Sequence, residues 1–374
     1  MKCNPEPLLL NTLYDAGVSF DCASEAELVA VRDLARGRAT DRILYANPCK
    51  SARDLAAAAE LGAPVTVVDS VEEVEKLVAQ KYEGGALVRI ATEDSAARMP
   101  FSTKFGAAPT DVARIAAAAA TLQMPLRGIS FHIGSGGEDA GAYSTALSAA
   151  YASLRALRAA GHASAKVIDI GGGFLAEEAD FRRKAMAIRG TRMALDAEEK
   201  GGLQWIAEPG RYFAAHSMDL FVQVIGKKPG GAGAWKYTID DSLYGQFSSI
   251  LFDYQAPIWY RVRPRGDKVR PMTSGVLFGR TCDSVDVIAA AREMEELAVG
   301  DWLWFPRMGA YTRATACEFN GFPRPPVMET GDLPDLGLEE KEIDFRLCAP
   351  KGVTRMPAVS AKAFWAGLLA GGKN

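Results

Sequence analysis

No apolar run in this chain approaches the ~20 residues that a membrane-spanning helix requires, so it has no candidate bilayer anchor. Histidine is scarce. There are three, His132, His162 and His216, none at metal-ligand spacing, and a metal centre is not expected. The six cysteines (Cys3, Cys22, Cys49, Cys282, Cys317 and Cys348) are scattered, with no CxxC pair. That excludes a disulfide framework and favours a reducing, cytoplasmic compartment. Charge excess is also missing: 43 Lys+Arg against 46 Asp+Glu leave a net −3. Neither nucleic acid nor an anionic membrane is expected as a partner. Asn4, Pro5, Glu6 and Pro7 interrupt any early apolar region, so no secretory leader is read.

The 374 residues are 48% hydrophobic and 24% charged, enough for two globular domains. Up to about residue 210, short β-branched or aromatic runs alternate with Ala/Leu-rich helical stretches. The strand-like runs are Val18–Asp21, Arg42–Asn47, Val65–Asp69, Leu87–Ala91, Gly128–His132, Val167–Ile170 and Gln204–Glu208. Apolar strands separated by helices predict a buried parallel sheet. Seven units plus one missing ahead of them give a (β/α)8 barrel over residues 1–215, with its first strand largely missing and Lys2 at that strand's C-terminal end. An open doubly wound sheet is the alternative. Residues 216–374 read as an antiparallel β-barrel domain, from alternating runs at Leu220–Val224, Trp235–Ile239, Ile258–Val262 and Trp302–Phe305. Within it a helix is expected over 286–297, and another in the Ala-rich tail after 355.

The chemistry-bearing residues fall at the ends of these runs. Lys2 is a candidate amine, Glu208 a carboxylate at a strand end, and His132 an imidazole closing an apolar strand. Gly171-Gly172-Gly173 and Gly210-Arg211 offer backbone N–H groups and a cation for phosphate, to which Ser135 adds a hydroxyl. No Gly-Lys-Ser/Thr follows, so this is not a nucleotide P-loop. An amine for an aldehyde, a carboxylate for a ring nitrogen, a flat face and a phosphate cradle are what pyridoxal phosphate needs. Taken singly, each has a structural alternative: a tight turn for the glycines, a core histidine for His132, an ion pair for Asp21.

In order along the chain, several blocks resemble the eukaryotic-type ornithine decarboxylases, fold type III pyridoxal phosphate enzymes with the alanine-racemase-like architecture. They are Lys2-Cys3-Asn4, Phe20-Asp21-Cys22-Ala23-Ser24, Tyr45-Ala46-Asn47-Pro48-Cys49-Lys50, Arg89-Ile90-Ala91-Thr92, Phe131-His132-Ile133-Gly134-Ser135-Gly136, Asp169-Ile170-Gly171-Gly172-Gly173-Phe174, Ala207-Glu208-Pro209-Gly210-Arg211-Tyr212, Cys282-Asp283 and Met308-Gly309-Ala310-Tyr311 with Phe319-Asn320-Gly321-Phe322. The resemblance implies that Lys2 holds the cofactor aldehyde, His132 stacks on the ring and Glu208 partners its nitrogen, with Asp21 beside them. It places Ser135, Gly172, Gly173, Gly210, Arg211 and Tyr311 at the phosphate. It makes Cys282 the residue that protonates the decarboxylated carbon or steers its protonation, Asp283 and Asp253 the acceptors of the substrate's distal amine, and Phe319 a ring lining the site. It further implies decarboxylation of L-ornithine to putrescine, in a homodimer whose protomers share active sites.

Three departures stand out. The family carries a strand arm, a helix and a full barrel strand before its lysine, where this sequence has Met1. Pro100 occupies the spacing of a family arginine, so Arg98 inherits no role, and Phe252 stands for a tyrosine. Two other functions fit the same blocks: an inactive homologue that binds regulatory partners of the antizyme kind, and a decarboxylase of lysine or arginine.

Overall fold

Three loops that leave β-strands end in a serine. Ser24, Ser51 and Ser70 each accept a hydrogen bond from the N–H three residues on, at 3.4, 3.1 and 3.2 Å. An acid stands at that third position each time, Glu27, Asp54 or Glu73. This pairing satisfies N–H groups that a helix start leaves orphaned, and so fixes where each helix begins. A computed structural model describes residues 1–35, 41–137, 139–199, 202–263 and 267–329.

The chain divides into two compact units, the first Met1–Ala214. Its strands are β1 (Phe20–Cys22), β2 (Ile43–Tyr45), β3 (Val65–Val68), β4 (Gly85–Arg89), β5 (Leu126–Ser130), β6 (Val167–Asp169) and β7 (Gln204–Ile206). Its helices are α1 (Pro7–Asp15), α2 (Glu25–Leu34), α3 (Ala52–Glu60), α4 (Val71–Ala79), α5 (Pro109–Thr121), α6 (Gly141–Ala159), α7 (Glu178–Glu198) and α8 (Gly210–Ala214). The strands form one seven-stranded sheet in sequential order with every neighbour parallel. Alternate residues point to opposite faces. Ile43, Tyr45, Val68 and Val88 pack in the large cluster with the helices, whereas Leu44, Val67 and Leu87 form a small cluster of their own. Burial on both faces explains why these strands read as unbroken apolar runs.

Among the described residues these seven strands follow the expected (β/α)8 topology. The two ends of the sheet approach each other across residues 2 and 3. Lys2 pairs with Asp21 on β1, and the Cys3 side chain lies 3.3 Å from where a Cβ on Gly210, after β7, would stand. The sheet is therefore curled, and its C-terminal strand ends face a common rim. Among the described residues no helix is long and apolar enough to cross a membrane.

The second unit starts at Ala215. It contains β8 (Leu220–Gly231), β9 (Ala234–Ile239), the short α9 (Ser249–Phe252), β10 (Tyr260–Arg261), β11 (Met272–Phe278), β12 (Val287–Glu295) and β13 (Trp302–Phe305). The sheet order is β10-β13-β8-β9-β11-β12, and all pairs are antiparallel except β9 with β11. A buried ion pair ties the two ends of this sheet: Arg261 on β10 donates to Glu295 on β12 at 3.0 Å, both 5% exposed.

Two expectations for this unit need correction. Residues 286–297 contain strand β12, not a helix, and β11 carried no recognised signal. Ala289, Ala290, Ala291 and Met294 favour helix by intrinsic propensity, but here they are buried along the antiparallel pairing with β11. Tertiary pairing overrides the local preference. The tail helix expected after 355 lies outside the described residues.

Removing Arg261 leaves Glu295 with Arg263 at 2.8 Å and the Arg270 N–H at 3.1 Å. Arg261→Ala should therefore destabilise this unit by less than the ~3–5 kcal/mol of a fully stranded buried charge, and a double Arg261→Met/Glu295→Leu variant by less again. Chemical denaturation of the three proteins checks this. A double variant as unstable as the single one would show that the pair is not the source.

Candidate active site

The rim of the first unit collects charges at strand ends. Asp21 lies on β1, Arg89 ends β4, Asp169 ends β6, His132 follows β5 and Glu208 follows β7. Lys2 reaches into this group, with Nζ 2.7 Å from Asp21 Oδ1 and donating to the Ala46 carbonyl at 3.1 Å. Burial works against its charge, yet Asp21 and then Glu208 hold the ammonium pKa above the ordinary lysine value.

Two carboxyls lie deeper. Asp169 is 1% exposed and accepts a hydrogen bond from Gly171 N–H at 2.9 Å. Burial pushes its pKa up to about 6, and its hydrogen bond with Glu208 couples the two. Glu208 is pushed well above the usual carboxylate range, by burial first and by the Asp169 and Asp21 charges next. The pair holds a proton near neutrality because two such buried carboxylates cannot both ionise cheaply.

His132 is neutral. Burial, then Arg89 and Lys2, lower its pKa to about 3. Its Nδ1 accepts from Gly134 N–H at 3.0 Å, which leaves the proton on Nε2. Phe101 meets the ring edge-on at 4.9 Å, and Thr92 Oγ1 donates to the His132 carbonyl at 2.9 Å.

The loop after β6 is built from backbone alone. A Cβ on Gly171 would sit 2.2 Å from the Phe131 carbonyl oxygen, and one on Gly172 2.8 Å from His132 Nε2. At Gly173 φ is +103°, and a Cβ would lie 2.8 Å from the Gly134 carbonyl oxygen. Only glycine fits such positions. Arg211 Nη2 donates to Ser135 Oγ at 3.3 Å. The Arg98 side chain lies over Gly136, 3.0 Å from where its Cβ would stand.

In the second unit, a separate cluster forms around Tyr244. Its hydroxyl donates to Asp283 Oδ2 at 2.5 Å, and its ring stacks on Phe319 at 4.2 Å. That hydroxyl and the Val285 N–H hold Asp283 below the usual carboxylate range. Cys282 is exposed, and its N–H donates to Asn320 Oδ1 at 3.2 Å. Buried Asp286 accepts from Thr281 N and Oγ1 at 3.1 and 2.6 Å and from Leu243 N at 2.8 Å, and so fixes the turn that presents Cys282 and Asp283. Asp253 follows α9 and is 8% exposed; Gln255 donates to its carboxylate at 2.7 Å. Tyr311 has φ +54°, a costly conformation for a side-chain-bearing residue.

The structure thus gathers Lys2, Asp21, His132, Gly172 and Glu208 in one group, with Gly173 on the same loop and Ser135 paired to Arg211. It gathers Cys282, Asp283 and Phe319 in another. Sequence reasoning missed Asp169 and Arg89 as members of the first group, although each is the polar last residue of an apolar strand. It also missed Tyr244, for which no local signal exists.

Residues 1–215 match the family model described as "Pyridoxal-dependent decarboxylase, pyridoxal binding domain". Ornithine decarboxylase, chloroplastic, of Nicotiana glauca is 39% identical over 333 residues, covering 86% of this chain and 75% of that protein. Antizyme inhibitor 2 of Xenopus laevis is 35% identical over 374 residues, covering 94% and 80%. The crystal structure of the arginine decarboxylase of Paramecium bursaria Chlorella virus, bound to agmatine, aligns with TM-score 0.80 at 34% identity over 86% of each chain.

The chain is a fold type III, pyridoxal phosphate-dependent amino-acid decarboxylase. It belongs to the ornithine and arginine decarboxylase family. The first-unit site suits that cofactor on its own chemistry. It offers a primary amine among carboxylates, a neutral imidazole, a buried acid that holds a proton, and a glycine loop whose side-chain space is already taken.

The carboxyl pair makes a prediction about pH. Between about pH 4 and pH 6 the folded state holds more protons at Asp169 than the unfolded chain does, so its contribution to stability falls as pH rises. The stability of Asp169→Asn relative to the parent protein should rise over that window, by on the order of 2 kcal/mol. Thermal or denaturant unfolding at several pH values reads this, and a difference flat in pH counts against the shared proton.

Proposed function

We propose that this chain decarboxylates L-ornithine to putrescine and carbon dioxide, as a homodimer in which Cys282 and Asp283 of one protomer complete the partner's barrel site. The observation that carries the ornithine reading is the Tyr244–Asp283–Phe319 cluster beside Cys282. It is an ionised carboxylate against an aromatic ring, next to a thiol.

Bound pyridoxal phosphate supplies an electron-accepting ring for the electrons of the breaking carbon–carboxylate bond. Lys2 would hold its aldehyde carbon, with Asp21 orienting the amine. Glu208 would face the ring nitrogen and would give it the proton that its pair with Asp169 holds. His132, being neutral, would cover the ring without adding charge. Ser135, Gly172, Gly173, Gly210, Arg211 and Tyr311 would receive the phosphate. The Asp283 and Asp253 carboxylates would offset the desolvation of the distal ammonium, and Phe319 would exclude water from it. The Cys282 thiol would give its proton to the carbon that has lost carbon dioxide, which releases an amine and not a carbonyl product. A distal carboxylate would be repelled by the same acids, which disfavours diaminopimelate-type substrates.

A second reading, a catalytically silent regulatory binding protein, is favoured by the 35% identity to a protein named as an antizyme inhibitor. Borohydride reduction with pyridoxal phosphate, followed by peptide mass mapping, should place the label on Lys2, and labelled ornithine should release carbon dioxide faster than lysine or arginine does. A label without turnover of any basic amino acid would favour the binding role, and faster arginine or lysine turnover would reassign the substrate. Cys282→Ala should lower putrescine formation about 10²-fold or more. Carbon dioxide release should fall less, as product analysis by chromatography would show.

A further inference from the structure

The glycine loop is gripped from behind. Tyr143 on α6 is 0% exposed, and its hydroxyl donates to the Gly172 carbonyl at 2.8 Å. Lys184 on α7 is also 0% exposed. Its Nζ donates to the Gly173 carbonyl at 2.9 Å and pairs with Asp180 Oδ2 at 2.8 Å. Asp180, 6% exposed, accepts in turn from Leu175 N–H at 3.2 Å. Two consecutive carbonyls of one loop therefore meet two buried donors from two different helices.

In a trans peptide the C=O and the following N–H point in opposite directions. Turning the Gly172 and Gly173 carbonyls toward α6 and α7 turns the N–H groups of Gly173 and Phe174 away from them. Among the described residues no acceptor takes the N–H of Gly172, Gly173 or Phe174. Buried N–H groups without acceptors are rare in folded proteins, and consecutive ones form an anion-binding concavity. A fully buried lysine is costly for a helix that only needs to pack, where an apolar side chain would serve.

We propose that Tyr143 and Lys184 are positioning residues for phosphate recognition: by holding the Gly172 and Gly173 carbonyls, they aim successive loop amides at the phosphate of the cofactor. Neither touches the cofactor or the reacting atoms. The inference rests on the reading of this loop as the phosphate site. It extends that site to two side chains on the surrounding helices, with the Asp180–Lys184 ion pair as the anchor.

The test compares binding of pyridoxal phosphate with that of phosphate-free pyridoxal to the full apoprotein, by fluorescence titration. Tyr143→Phe removes one hydroxyl and keeps the ring. It should weaken pyridoxal phosphate about five- to tenfold, the worth of one aligned hydrogen bond, and leave pyridoxal within about twofold. Lys184→Met should act in the same sense and more strongly. The phosphorus resonance of bound cofactor should move in both variants. If Lys184→Met does not fold, Tyr143→Phe alone decides. Equal weakening of both ligands, or an unchanged ratio, overturns the inference and leaves the two residues a purely structural role. Should the parent protein bind pyridoxal as well as its phosphate, the phosphate reading of the loop itself fails. Arg211→Ala is the control for a direct contact, and a lowered ratio in that variant alone would keep the phosphate site while removing Tyr143 and Lys184 from it.

Discussion

The contact on which the first-unit site depends is the Lys2–Asp21 ion pair. A long, flexible lysine side chain gives up rotamer freedom when it is held in one place. Here a carboxylate at 2.7 Å and a backbone carbonyl at 3.1 Å hold its amine at the rim. Cys3 packs against Gly210 and Met1 against the helix-facing core, so the whole N-terminal segment is tied down by packing as well as charge. Every role proposed for this rim requires the amine to be there.

That pair sits in a wider balance. Asp21, Asp169 and Glu208 bring three carboxyls to one rim, and Lys2 and Arg89 bring two cations. Burial makes full ionisation of the acids expensive, so Asp169 and Glu208 share a proton, and burial, with Arg89 and Lys2 after it, keeps His132 neutral. An acid that carries a proton near neutral pH can give it to a ring nitrogen that must stay protonated and remain as its carboxylate partner, and an uncharged imidazole can cover the ring face without adding charge. The second unit uses the opposite device: half-buried Asp283 is held below the usual carboxylate range by a tyrosine hydroxyl, the state the proposed ammonium-receiving role would need.

Much of this is legible along the chain because the barrel is built from local repeats. Strands β4, β5 and β6 end in Arg89, Ser130 and Asp169, helices α2, α3 and α4 begin after Ser24, Ser51 and Ser70, and the glycines of Gly171-Gly172-Gly173 appear where no side chain fits. Asp169 and Arg89 carried the same strand-end signature, but a single carboxylate or guanidinium at a strand end is ambiguous until its neighbours are known. Tyr244, Tyr143 and Lys184 were illegible for a plainer reason: a tyrosine or lysine looks like any other until the fold shows what its polar end reaches. The error at 286–297 has the same origin. The Ala- and Glu-rich stretch favours helix locally, and its pairing with β11 is a non-local fact.

Residue order alone decided the parallel β/α alternation and the family, because hydrophobic period and motif order are properties of neighbouring residues. Only the folded chain decided the ionisation of Glu208, Asp169 and His132, the grip of α6 and α7 on the glycine loop, and the strand at Val287–Glu295. These depend on burial and on partners tens of residues distant, and neither quantity exists until the chain has closed on itself.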